Sequence, residues 1–143
     1  MKRFLLDVNV LIALLDSDHM HHASTVRWFA RHGGRGWASC PLTQNGCLRV
    51  MSNPSYPNFL PVPAVRERLA EACSTPFHDF WPDDLSLLDD AIIDPSRLQH
   101  SGQLTDIYLV ALAVRHQGQL VTFDRSLPFE AIRSGGKTSI VFL

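Results

Sequence analysis

The chain reads as an α/β protein, a mainly parallel sheet with helices on both faces. Three observations predict this. Short apolar runs of strand length alternate with longer amphipathic or apolar stretches of helix length. Asp7 stands directly between a strand pattern and a helix pattern. Gly- and Pro-rich breaks mark several of the boundaries.

Taken in order, Phe4-Leu5-Leu6 predicts a short buried strand, and Val8 to Leu15 a helix that is apolar except at Asn9. Asp16-Ser17-Asp18-His19 is a polar break. His22 to Arg31 has Ala23, Val26, Phe29 and Ala30 on one face and predicts an amphipathic helix. Gly33-Gly34-Arg35-Gly36 ends it. Trp37 to Cys40 predicts a second strand, and Leu42 to Met51 a helix entered at Pro41. Asn53-Pro54 and Tyr56-Pro57 make an irregular loop. Pro63 to Cys73 predicts a helix with Pro near its start, where Pro is tolerated.

Phe77 to Trp81 predicts a third strand, and Leu85 to Ile93 a short helix. Thr105 would cap a helix from Asp106 to Gln117, closed by Gly118. That helix is apolar nearly all round, which places it between layers. Gln119 to Phe123 and Ser139 to Phe142 complete five strands. No repeat, low-complexity tract or interior linker is present.

Composition narrows the function. The chain has 143 residues, the size of one domain, with 45% hydrophobic and 19% charged side chains. Such a chain is neither disordered nor collagen-like. Thirteen basic and fourteen acidic residues give −1, which excludes a charge-driven nucleic-acid coat protein. The charge is uneven: residues 1–72 carry +3 and residues 73–143 carry −4. Cys40, Cys47 and Cys73 have no metal-type spacing, and with no signal peptide they suggest a reduced, cytoplasmic protein. The N-terminal segment reads as neither a secretory signal nor a membrane span.

In an open α/β sheet, ligands bind beyond the carboxyl ends of the strands. Asp7 follows the first strand and Asp124 the fourth. Asp106 lies in the first turn of the helix that leads into that fourth strand. All three carboxylates are therefore expected at one edge. Grouped there, they would repel and their pKa values would rise. A divalent cation relieves that conflict, and oxygen-only ligation favours Mg²⁺ or Mn²⁺. Such an ion can activate water and offset charge on a phosphate, so hydrolysis of a phosphodiester is the indicated chemistry. Each Asp also has a structural reading: Asp7 as a helix cap, Asp106 as a complement to the helix dipole, Asp124 as a turn former.

The motifs resemble a known family. Phe4-Leu5-Leu6-Asp7-Val8-Asn9-Val10-Leu11 resembles the opening motif of PIN-domain nucleases. Leu104-Thr105-Asp106-Ile107-Tyr108-Leu109 and Leu120-Val121-Thr122-Phe123-Asp124-Arg125 resemble the closing motifs, and Pro41 to Val50 the segment between. Length and order are similar to the VapC-type toxins of bacterial toxin–antitoxin pairs. The resemblance implies that residues 1–143 form one α/β/α sandwich domain with Mg²⁺- or Mn²⁺-dependent endoribonuclease activity. It also implies a cognate antitoxin as partner and a homodimer.

By the same resemblance, Asp7, Asp106 and Asp124 take the acidic metal-site positions. Asn9, Thr105 and Thr122 would orient carboxylates or water, with Thr43 beside them as a supporting residue. Gln44 departs from the pattern, which has Glu there; Gln keeps an oxygen acceptor and loses the charge. Gln44 would meet the metal through water or hold a substrate phosphate.

Other candidates have two readings each. His19, His21, His22 and His32 read as loop and helix-end residues, with one of the first three, beside Asp16 or Asp18, bordering a substrate groove. Asp83, Asp84, Asp89, Asp90 and Asp94 read as a solvated helix face. Arg27, Arg31 and Arg35 would bind RNA, bind an acidic antitoxin, or face solvent. Trp28 and Trp37 read as core or dimer contacts. Tyr56 and Phe59 are candidates for stacking an unpaired base. Arg125 would stabilise the transition-state phosphate or form a structural ion pair.

The expectation is a metal-dependent endoribonuclease acting as a toxin. The first alternative, raised by Gln44, is a catalytically weak or inactive nucleic-acid binder of the same fold. The second is a receiver-type signalling domain. That would need a Lys at the active edge, whereas Lys2 reads at the wrong end of the first strand.

Overall fold

The computed structural model describes residues 3–143. Met1 and Lys2, with the reading of Lys2's position, lie outside the described residues. Five strands form one sheet: β1 (Phe4–Leu6), β2 (Trp37–Ser39), β3 (His78–Phe80), β4 (Gln119–Thr122) and β5 (Ile140–Phe142). Their order is β3-β2-β1-β4-β5, and every pairing is parallel. Five α-helices accompany them: α1 (Val8–Leu15), α2 (His22–His32), α3 (Pro41–Met51), α4 (Val62–Cys73) and α5 (Leu104–Arg115).

Strand alternation sorts the core into two layers. Leu5, Ala38, Leu120 and Ile140 face α5 and join Ile107, Leu109, Val110, Leu112 and Ile132. Phe4, Leu6, Trp37 and Val121 face the other way, onto Val10, Leu11, Met51, Val65 and Leu69 from α1, α3 and α4. Each such buried side chain contributes about 1.5–3 kcal/mol relative to exposure. The expected α/β/α sandwich is the observed fold.

Local chemistry fixes the helix starts. Asp7 caps α1 by accepting the Val10 N–H at 3.0 Å. At α3, Thr43 Oγ1 accepts the Cys40 N–H at 3.0 Å and Pro41 opens the first turn. The cap of α5 differs from expectation. Gln103 occupies it with no side-chain bond, and Thr105 lies exposed inside the first turn. A 3₁₀ turn at Ser101–Gln103 delivers the chain in helical geometry, so no Thr cap is required. At the far end Gln117, not Gly118, takes the left-handed conformation (φ 56°). Gly118 is needed for another reason: a Cβ there would stand 2.5 Å from the Arg3 carbonyl oxygen.

The helix expected over Leu85–Ile93 does not form. That stretch is turns ending in an isolated antiparallel bridge between Ile93 and Ile132. Ser86 Oγ accepts the Leu88 N–H at 3.0 Å and Asp89 Oδ1 the Ala91 N–H at 2.9 Å. Such local bonds compete with the helical ladder. Asp83, Asp84, Asp89 and Asp90 are exposed as expected and Asp94 is half-buried, all on loops rather than a helix face.

Candidate active site

Parallel strands place the C-termini of β1 and β4 side by side, with Leu6 opposite Val121. Asp7 follows the first and its N–H donates to Val121 O at 3.1 Å. Asp7 is only 5% exposed. Burial raises its pKa, and the Asp124 charge adds to this. Hydrogen bonds from Thr122 Oγ1 and from the Val10 and Asn9 N–H groups oppose it without cancelling it.

Asp106 stands half-buried in the first turn of α5. Burial, then the Asp7 and Asp124 charges, push its pKa up to about 6, and it shares a hydrogen bond with Asp124. Asp124 is held low instead. Its Oδ1 accepts from Ser126 Oγ at 2.6 Å and from Ser126 N–H at 2.9 Å, and it accepts the Asp106 bond. Of the pair, Asp106 is therefore the one that holds its proton to the higher pH. All three acids meet at one sheet edge. Among the described residues, however, no three His, Cys, Asp or Glu side chains form a ready metal cage.

The supporting residues divide. Thr122 is buried, bonds Asp7, and its Oγ1 also accepts the Asp124 N–H at 3.1 Å. Asn9 is exposed on the first turn of α1 and reaches Asp7 through its backbone N–H. Thr105 borders a cavity next to Asp106. Thr43 is buried and committed to Cys40, so it serves the helix and not the carboxylates. Gln44 is not brought to the acids by any hydrogen bond among the described residues. Its Nε2 donates to Ser39 Oγ at 2.9 Å, which in turn lies 2.8 Å from His78 Nε2. Arg125 forms no ion pair among the described residues; its guanidinium lies over the Phe142 ring, 5.5 Å from the centroid.

The residues 124–126 motif, Asp-x-Ser, is an Asx-type turn signal that would have identified Ser126 from sequence. His21 and Phe123 form a second unforeseen feature. Their rings stack at 4.8 Å and 30°, directly before Asp124. His22 Nδ1 lies 2.7 Å from Ala13 O and His19 Nδ1 accepts the His21 N–H at 3.0 Å, which are loop and helix-end roles. The Tyr56 hydroxyl donates to Asp16. Phe59 remains 50% exposed. Trp37 is buried, and Trp28 packs edge-on against Phe4.

The PIN domain pattern matches residues 4–133. This chain belongs to the PIN domain family. Ribonuclease VapC44 of Mycobacterium tuberculosis is 48% identical over 141 residues, 99% of either chain. Ribonuclease VapC39 of the same organism is 44% identical over 124 residues, 86% of this chain and 89% of its own. The crystal structure of VapC20, a sarcin–ricin-loop-cleaving toxin of M. tuberculosis, superposes with a TM-score of 0.63. It covers 92% of this chain and 98% of that one at 12% identity, a likeness of fold.

The PIN assignment removes the signalling alternative. Receiver domains have strand order 2-1-3-4-5, whereas this PIN domain has 3-2-1-4-5. No helix among its described residues is long and apolar enough to cross a membrane.

Proposed function

We propose that this PIN domain is a divalent-cation-dependent endoribonuclease, the toxin of a toxin–antitoxin pair. The observation that carries the reading is the coupling of Asp7, Asp106 and Asp124 at one edge, with Asp106 raised to about 6 by burial and its two acidic neighbours. Relatives named ribonucleases support it.

The donor set fits Mg²⁺ or Mn²⁺. It offers only oxygens, and burial and mutual repulsion raise Asp7 and Asp106, a conflict that a cation would relieve. Asp7, Asp106 and Asp124 would hold the ion. When bound, it supplies a Lewis acid that makes water acidic and offsets charge on the phosphate. The chain's own groups do the positioning. Thr122 and the α1 N–H groups fix Asp7, while Ser126 fixes Asp124. Asn9, exposed beside Asp7, and Arg125, exposed beside Asp124, would contact an RNA phosphate.

A cognate antitoxin, a homodimer and a cytoplasmic setting complete the proposal. Apolar surface supports the protein contacts: Phe77 and Phe80, flanking and within edge strand β3, are each 51% exposed. Three free cysteines suit a reducing compartment.

Purified protein is expected to cut single-stranded RNA internally with Mg²⁺ or Mn²⁺ and to stop on chelation. Cleavage that persists in chelator sinks the metal reading. A weak or inactive enzyme is the second reading, favoured by the engagement of Gln44 with Ser39 in place of an acidic ligand. If the missing charge limits metal binding, Gln44→Glu tightens Mn²⁺ affinity and raises turnover.

A further inference from the structure

The inner face of α2 is tied to the sheet at both ends. Trp28 and Phe29 pack edge-on against Phe4 and Trp37, the residues that open β1 and β2. At the other end His21 stacks on Phe123, directly before Asp124. The helix therefore runs from the edge that carries the acids to the opposite edge.

Its outer face is basic and exposed. Ala23, Arg27, Ala30 and Arg31 lie there, and Arg35 follows on the 3₁₀ turn that ends the helix. No Asp or Glu stands on α2. Arg27, Arg31 and Arg35 make no ion pair among the described residues. Arg31 complements the C-terminal end of the helix dipole, but Arg27 is mid-helix and has no such use. Like charges one turn apart cost a helix stability, and no acid on the helix offsets this pair. The alanines between them leave room for a chain to lie close.

Such a face complements a regular row of negative charges. Arg27 and Arg31 stand about 9 and 15 Å along the axis from His21. A single RNA strand seated at the acids and leaving past His21 would lay successive phosphates over them. Arginine suits that contact, because its guanidinium meets phosphate oxygens in pairs. An acidic peptide would match the arginines as well, but the carboxylates of Asp7, Asp106 and Asp124 repel its continuation. Of the two, only RNA is drawn to both places, to the arginines directly and to the acids through a cation.

We propose that the outward face of α2 is a track for the RNA backbone, on which Arg27, Arg31 and Arg35 hold phosphates beyond the one at the acids. The inference rests on the endoribonuclease reading and says where the rest of the substrate lies.

The test is fluorescence anisotropy of the full chain, in chelator, with a labelled single-stranded RNA of about twelve nucleotides. Arg27→Gln and Arg31→Gln are each expected to weaken binding several-fold and to reduce the slope of log K against log salt by about 0.7, and the double variant by about 1.4. Circular dichroism is expected to be unchanged, because both side chains are exposed. Arg97→Gln, an exposed arginine on the α5 side of the sheet, is the control and is expected to leave the slope as it was. No RNA binding by the parent, or slopes that do not change in the α2 variants, overturns the track. An equal loss in Arg97→Gln overturns it in favour of diffuse charge. An oligoglutamate peptide that binds more tightly than RNA, and is lost in the same variants, overturns it in favour of an acidic protein partner.

RNA cleavage by the parent, assayed separately with Mg²⁺, tells the two readings apart. Arginine-dependent binding without any cleavage supports the track and defeats the nuclease. Cleavage with unchanged salt slopes defeats the track and leaves the nuclease.

Discussion

Asp7 and Asp16 stand at the two ends of α1, and both are 5% exposed. Their acidities move in opposite directions. Asp7 lies deep below the sheet edge, where burial and the Asp124 charge outweigh three hydrogen bonds and raise its pKa. Burial acts to raise Asp16 too, but it lies nearer the surface. Donors prevail there: the Tyr56 hydroxyl, the Asn58 amide at 3.0 Å and the Asp18 N–H at 3.0 Å, aided by His19. The comparison separates two uses of a buried acid. One is supplied with donors and holds a loop. The other has donors too, but burial and the Asp124 charge outweigh them.

The comparison breaks at once if the two acids have interchangeable effects. Asp7→Asn keeps a good helix cap and is expected to cut RNA cleavage by about a hundredfold or more while circular dichroism shows an intact fold. Asp16→Ala is expected to do the reverse. It strands the Tyr56 hydroxyl and the Asn58 amide and lowers stability by roughly 2–4 kcal/mol in urea unfolding, with activity per folded molecule retained. Cleavage lost in both variants to the same degree would erase the distinction.

Asp106→Asn sharpens the point through pH. Asp106 keeps its proton in the fold up to about pH 6, whereas an ordinary carboxyl gives it up near 3.8. The folded state binds more protons in that window, so the group costs stability as pH rises from about 4 to 6, and the cost stays above it. In chelator the variant is expected to melt higher than the parent at pH 7 and equally at pH 3. Mg²⁺ then stabilises the parent more than the variant. Asp16 has the opposite sign: its lowered pKa gives stability above the ordinary carboxylate range that is lost in acid. Smallest of all, Tyr56→Phe removes one donor and is expected to cost about 1 kcal/mol by the same urea measurement.

Much of the fold was legible because its signals are local. The Phe4-Leu5-Leu6-Asp7 junction carries a strand, a cap and a helix start within a few residues. Periodicity marked all five α-helices for the same reason. The stretch from Leu85 to Ile93 misled because its apolar spacing suits a helix while Ser86 and Asp89 capture the backbone N–H groups. The three acids were legible because each is tied to a strand end or a helix start. The bond from Gln44 to Ser39, on a strand five residues earlier, was not legible, because no local pattern announces it. The tie from Asp16 to Tyr56 spans forty residues, and no pattern within either segment announces it.

One feature of the sheet bears on synthesis. β1 is flanked by β2 and β4, yet β4 is formed by residues 119–122. Asp7 is made more than a hundred residues before the neighbour it needs. Until that late strand slots in beside the first, Asp124 and Asp106 have no fixed relation to Asp7. A chain without β4 thus lacks the pairing that brings Asp7 to Asp106 and Asp124.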